Sequence, residues 1–91
     1  MAQVRFTNHL KRFFPTLTNG QVIEGSTVAE IVATLDERYP GIGSYIVDER
    51  GALRKHVNIF IESEMVRDRE RLSDPLQPES QVFVMQALSG G

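Results

Sequence analysis

Residues 4–7, "VRFT", alternate apolar and polar, the period-two pattern of a strand with one buried face. The next stretch, "NHLKRFFPTLTNG", has no such period, and Pro15 and the Asn19-Gly20 pair mark irregular or turning backbone. Residues 18–21 are either the tip of a hairpin or a loop leading into a second strand, "QVIEG". Periodicity then switches from two to helical. Val28, Ile31, Val32, Leu35 and Tyr39 recur along one helix face, while Glu30, Thr34, Asp36, Glu37 and Arg38 fall largely elsewhere. Thr27, three residues before Glu30, sets up a capping box, and Pro40-Gly41 stops the helix after about three turns.

Beyond the helix, Ile42, Tyr45, Ile46 and Val47 are placed to pack under its end, and 48–51 reads as a turn. "HVNIFI" (56–61) is a strand by its β-branched and aromatic content. "ESE" turns, and "MVR" opens a short strand. "RDRERLSDPLQPES", with Pro75 and Pro78, reads as a solvated loop whose charges at 67–71 pair toward solvent. "QVFVMQ" (81–86) is the last strand. The order predicts a two-layer α+β fold: a mixed sheet of four to five strands with one main helix on one face, a β-grasp arrangement. The domain spans 1–86, and 87–91 form a flexible tail.

Strand parity sorts the faces. Val4, Phe6, Val57, Ile59, Ile61, Val82 and Val84 point toward the helix. Arg5, Thr7, Asn58, Phe60, Phe83 and Met85 point away. Two phenylalanines and a methionine then share a face for which a two-layer fold has no second helix, and contiguous apolar surface of that kind marks a partner site. The alternative is that the N-terminal loop or the 40s segment folds over them.

Composition removes most catalytic chemistry. The chain has 91 residues, room for one modest core, and a formal charge of −2, without the basic surplus of a generic nucleic-acid binder. No apolar run is long enough to span a membrane, and the N-terminus lacks the apolar core of a secretory signal. The absence of cysteine excludes disulfides and thiolate chemistry and fits a cytoplasmic protein. His9 and His56, in unrelated contexts, read as surface or strand-edge residues. The basic stretch "LRKH" (53–56) and Arg5 read as a solvated turn before a strand, the alternative being a dock for an acidic partner or RNA.

The end, "ALSGG", is of another kind. Five residues reach at most roughly 17 Å when extended. Two glycines let backbone enter a channel that a Cβ would block, bringing the α-carboxylate to its far end. Together, "GSTVAEIVATLDERYPG", "HVNIFIESEMVR" and the closing "VFVMQALSGG" resemble the sulfur-carrier proteins of the MoaD/ThiS family, which are ubiquitin-like. Within that family the chain is most similar to the branch of carriers serving cysteine synthesis.

The resemblance implies a carrier, not an enzyme. An E1-like adenylyltransferase of the MoeB/ThiF type adenylates Gly91, with Gly90 as the penultimate glycine. A sulfur donor converts the adenylate to a thiocarboxylate, and a downstream synthase accepts the sulfur in cofactor, amino-acid or tRNA thiolation. ATP and magnesium belong to the partner enzyme; the chain itself binds no metal or cofactor. Phe60, Phe83, Met85, Leu88 and Ser89 are the expected partner-contacting residues, with neither nucleic acid nor membrane as partner. Two rivals share the fold: a modifier conjugated to proteins through Gly91, and a binding module whose glycines are inert.

Overall fold

The computed structural model describes residues 2–18 and 20–86; for Asn8, His9 and Gln86 it describes the backbone alone. The elements are β1 (Ala2–Phe6), α1 (Asn8–Lys11), β2 (Gln21–Ile23), α2 (Val28–Arg38), α3 (Ile42–Ile46), β3 (Val57–Ile61), β4 (Glu64–Met65) and β5 (Gln81–Gln86). Five strands form one sheet in the order β2-β1-β5-β3-β4. β1 and β5 run parallel at its centre, and the other pairs are antiparallel. With α2 packed on one face, this is the ubiquitin-like β-grasp.

The predicted inward row is the core. Val4, Phe6, Val57, Ile59, Val82 and Val84 are buried against Val28, Ile31, Val32 and Leu35 of α2. Ile61, at the end of β3, is only partly buried. Alternation on the strands and the helical stripe on α2 thus meet as two complementary apolar surfaces, the main driving force of such a fold.

The helix start differs in one detail from a reciprocal capping box. Thr27 Oγ1 accepts from the Glu30 N–H at 3.3 Å, but the Glu30 carboxylate reaches past Thr27 to accept from the Ser26 N–H at 2.9 Å. The next free donors of the first turn bond to the late loop: Val28 N–H donates to Asp74 O and Ala29 N–H to Leu72 O. The loop at 67–76 is therefore the second cap of α2. Leu72 and Leu76 are buried within it, and Asp68 and Asp74 fold it by accepting from its own backbone N–H groups. At the far end Asp36 accepts from Gly41 and Gly43 N–H and ties α2 to α3. A Cβ at Gly43 would lie 2.9 Å from the Asp36 carboxylate, so a larger residue there displaces this link.

Several boundaries shift. The first strand is Ala2–Phe6 rather than 4–7, the second ends at Ile23 rather than at 25, and the fourth is Glu64–Met65 rather than 65–67. The connection between β1 and β2 contains α1, so 18–21 leads into β2 instead of closing a hairpin; Asn19 lies outside the described residues. The 67–71 run is not a set of solvent-facing ion pairs. Among the described residues the only ion pair is Arg50–Asp48, and Arg69 is partly buried with its guanidinium on neutral acceptors.

Candidate partner-binding face

The outward row crosses four strands as one rung. Arg5 of β1 is in register with Phe83 of β5, Phe83 with Phe60 of β3, and Phe60 with Met65 of β4. On the next rung Asn58 stands opposite Met85. Pairs directly opposite each other bring Cβ atoms to about 5 Å. Phe60, Phe83 and Met65 therefore form a continuous apolar strip, flanked by Met85 and ending at the Arg5 guanidinium.

No other segment covers it among the described residues. Leu10, Leu17, Ile42 and Ile46 are buried in the core on the α2 side, and Phe14 and Tyr45 pack there edge to face with ring centroids 5.5 Å apart. Both segments that might have folded over the strip belong to the helical layer. Phe60, Phe83 and Met85 are each partly exposed, and Met65 is 53% exposed. A shallow groove of about 640 Å³ runs beside Phe60, Phe83 and Met85 to Arg5, with Glu62 and Ser63 at one rim. A larger depression of about 770 Å³ lies on the helical side, between α2, the 48–51 turn and residues 70–72. Its walls carry mixed charge around Asp36, Asp48, Arg50 and Arg71 rather than a contiguous apolar surface.

Two features of this face were not legible from parity. Met65 sits in a strand of two residues, too short to show alternation, although inward Val66 beside it implies its direction. The second is Arg69. Its Nη1 donates to Asn58 Oδ1 at 2.7 Å and its Nη2 to the carbonyls of Arg54 and Val57 at 2.8 and 3.1 Å. The fork clamps the start of β3 to the late loop, beside the last rung of β5, where Val57 pairs with Gln86.

The strip's rim is set by the turn between β3 and β4. Glu62 and Ser63 have φ of 51° and 73°, so two non-glycine residues occupy the left-handed region that a two-residue hairpin loop of this hand requires. Glu62 is also tied to β5: its N–H donates to Gln81 O and its carboxylate accepts from Gln81 N–H. The expected tail, 87–91, with Leu88, Ser89, Gly90 and Gly91, lies outside the described residues. Among the described residues no three His, Asp or Glu side chains are grouped to hold a metal ion, and no helix is long and apolar enough to cross a membrane.

Comparison with known proteins agrees with this architecture. The CysO of the Amycolatopsis orientalis BexX/CysO complex superposes with a TM-score of 0.83, at 23% identity and full coverage of both chains. Mycobacterium tuberculosis CysO gives 0.82 at 22% identity, covering 97% of this chain and all of that one. The small archaeal modifier protein 1 of Methanosarcina acetivorans gives 0.74 at 22% identity, covering 99% and 95%. At these identities the likeness is one of fold. No curated protein matches the chain in sequence. The ThiS family model, in contrast, matches residues 4–91, from the first strand through the terminal glycines. The chain belongs to the ThiS family.

Proposed function

We propose that the protein is a sulfur carrier whose working group is the α-carboxylate of Gly91. The observation that carries this reading is the reach of the family match, which includes both glycines as well as the folded body. A carboxylate is a poor electrophile. An E1-like adenylyltransferase overcomes this by letting the Gly91 carboxylate oxygen attack the α-phosphorus of ATP, with pyrophosphate leaving. A sulfur nucleophile then adds to the acyl carbon and AMP departs. Sulfide gives the thiocarboxylate directly; a persulfide gives an acyl disulfide, which a thiol reduces to the thiocarboxylate with formation of a second disulfide. The carrier supplies no base and no metal ligand to these steps. It supplies a terminus slender enough to enter the partner's site and a body to be held by.

In this reading the body is held by the Phe60–Phe83–Met65 strip with Met85, and Leu88 and Ser89 contact the channel leading to the ATP site. That a CysO of the same fold forms a complex with BexX supports a carrier that works bound to a protein partner. The sulfur's destination is a downstream synthase, and the place of work is the cytoplasm.

The test is the intact mass of the protein from its native cell, with thiol-selective alkylation of the terminus. An oxygen-to-sulfur shift localised to Gly91 is expected. A chain lacking Gly91 should fold normally and give no adenylate with the adenylyltransferase. A plain carboxylate, in cells that also contain that enzyme, overturns the proposal. A second reading, a modifier joined to lysines through Gly91, is favoured by the likeness to the archaeal modifier. A ladder of conjugates on lysines would identify it.

A further inference from the structure

The strands carry opposite charge at their two ends. At the end where β5 begins lie Glu24, Glu62, Glu64 and Glu79, all exposed. Ile23 pairs with Ala2, Glu62 bonds to Gln81, and Glu64 faces Ile61, which places these residues together by register. At the end where β5 finishes lie Lys11 and Arg12 on one side, because β1 runs parallel to β5 and Thr7 N–H donates to Val84 O. Lys55 and His56 lie on the other side, preceding Val57, the partner of Gln86. Arg54 and Arg69 back them, their guanidiniums held on the carbonyls of Ser44, Arg54 and Val57. Asp68 and Glu70 flank Arg69, and Asp48 and Glu49 share a depression with Arg54, so the excess of positive charge rests on Lys11, Arg12 and Lys55. Among the described residues none of these cations is in an ion pair. On the helical layer Glu37 and Arg38, adjacent at the end of α2, offset each other.

The whole chain is acidic by two charges, so this basic collar is placed against the general composition. It brackets the point from which the chain continues to Gly91. A protein charged this way turns its basic end toward an acidic surface before contact, which raises the rate of productive encounter. We propose that the collar of Lys11, Arg12 and Lys55 docks an acidic protein surface and orients the carrier terminus-first toward it. The naming of that surface as the mouth of the adenylyltransferase's site rests on the function proposed above; the collar's preference does not. An acidic polypeptide suits the collar better than a nucleic acid or polyphosphate, because the cations are spread on both sides of β5 and adjoin the apolar strip. A nucleic acid would also meet the net negative charge at long range.

The test uses the full isotope-labelled chain, titrated in separate arms with poly-L-glutamate, inorganic tripolyphosphate and a single-stranded RNA oligonucleotide. Poly-L-glutamate is expected to shift amides around residues 11–13 and 54–57, with binding lost in salt and in the K11E/R12E/K55E variant. The K11Q/R12Q/K55Q variant guards against misfolding and should bind with intermediate strength. Absence of those shifts, or tighter binding of RNA or tripolyphosphate, overturns the proposal. In pyrophosphate exchange with the adenylyltransferase, the triple reversal should raise KM about tenfold with kcat unchanged. Reversal at the other end, E24K/E64K/E79K, should leave KM no higher than wild type. An unchanged KM in the collar variant counts against the docking role. If the wild-type chain supports no exchange, the carrier function fails, and the titration arms still decide the collar.

Discussion

Phe60 and Phe83 stand opposite each other across the β3–β5 ladder, on the sheet face that α2 leaves open. An aromatic pair in that position contributes up to about 1 kcal/mol to the sheet beyond what alanines would. The same two rings are half-exposed and line the groove. They therefore serve the fold and any partner at once, and a variant at either confounds the two.

Met65, on the same rung but more exposed, separates them. Met65→Asp should change unfolding free energy by less than about 0.5 kcal/mol, as surface substitutions do. It should weaken adenylyltransferase binding measured by calorimetry, whereas Phe83→Asp should lower both affinity and the denaturation midpoint. Undiminished binding by Met65→Asp would remove the strip from the partner interface.

The turn at Glu62-Ser63 is strained by its side chains. A non-glycine residue in the left-handed region costs about 1–2 kcal/mol, and glycine escapes that cost. Ser63→Gly should therefore raise stability by about 1 kcal/mol, net of the larger entropy of the unfolded glycine chain. Urea denaturation measures it as a higher midpoint at unchanged slope. A lower midpoint would mean that the serine makes a contact outweighing its backbone strain.

Arg69 tests a different kind of bond. Its fork satisfies one amide oxygen and two carbonyls, and bonds from charged donors contribute about 1.5–3 kcal/mol each when a partner would otherwise be stranded. Arg69→Ala should lower stability by about 2 kcal/mol, with partial exposure reducing the full sum. Arg69→Lys should rescue little, since an ammonium lacks the planar fork. Full rescue by lysine in thermal melts would show that charge alone matters there.

Asp68 makes the late loop sensitive to acid. The Ser73 hydroxyl, and then the N–H groups of Arg71, Ser73 and Glu70, hold its carboxyl below the ordinary value of 3.8. A group whose folded value is depressed stabilises the fold above its unfolded value and loses that effect as pH falls through the folded one. The stability gap between wild type and Asp68→Asn should be largest at neutral pH and close as pH drops below 3.8. Asp48, lowered chiefly by the Arg50 N–H, should behave likewise. Parallel pH profiles for wild type and Asp68→Asn would contradict this.

The sheet's two faces were readable because β3 and β5 each run long enough for alternation to repeat, and because α2 spans three turns of one stripe. α1 and α3 were not, since four and five residues complete barely one turn and leave no period to detect. Ile42 and Ile46 were still placed under the helix end by their hydrophobicity alone. Arg69 was misread as solvated because its partners are mostly backbone carbonyls, which no side-chain pattern reveals. The late loop was read as charge and missed as a cap for the same reason: Leu72 and Asp74 act on α2 through their carbonyls. On the candidate site, Phe60, Phe83 and Met85 lie together as parity required, while the glycines were legible only as a motif.

The placement of β5 bears on how the protein is made. Among the described residues β5 is the only link between the β1–β2 pair and the β3–β4 pair, so before it arrives the sheet is two separate ribbons. Such ribbons are marginal in water, and joining the first strand to the last is the kind of distant pairing that folds late. The sheet therefore closes only once β5 has been synthesised. A chain lacking β5 has no continuous Phe60–Phe83 face to present, so a partner that recognises that face meets only molecules that carry this strand.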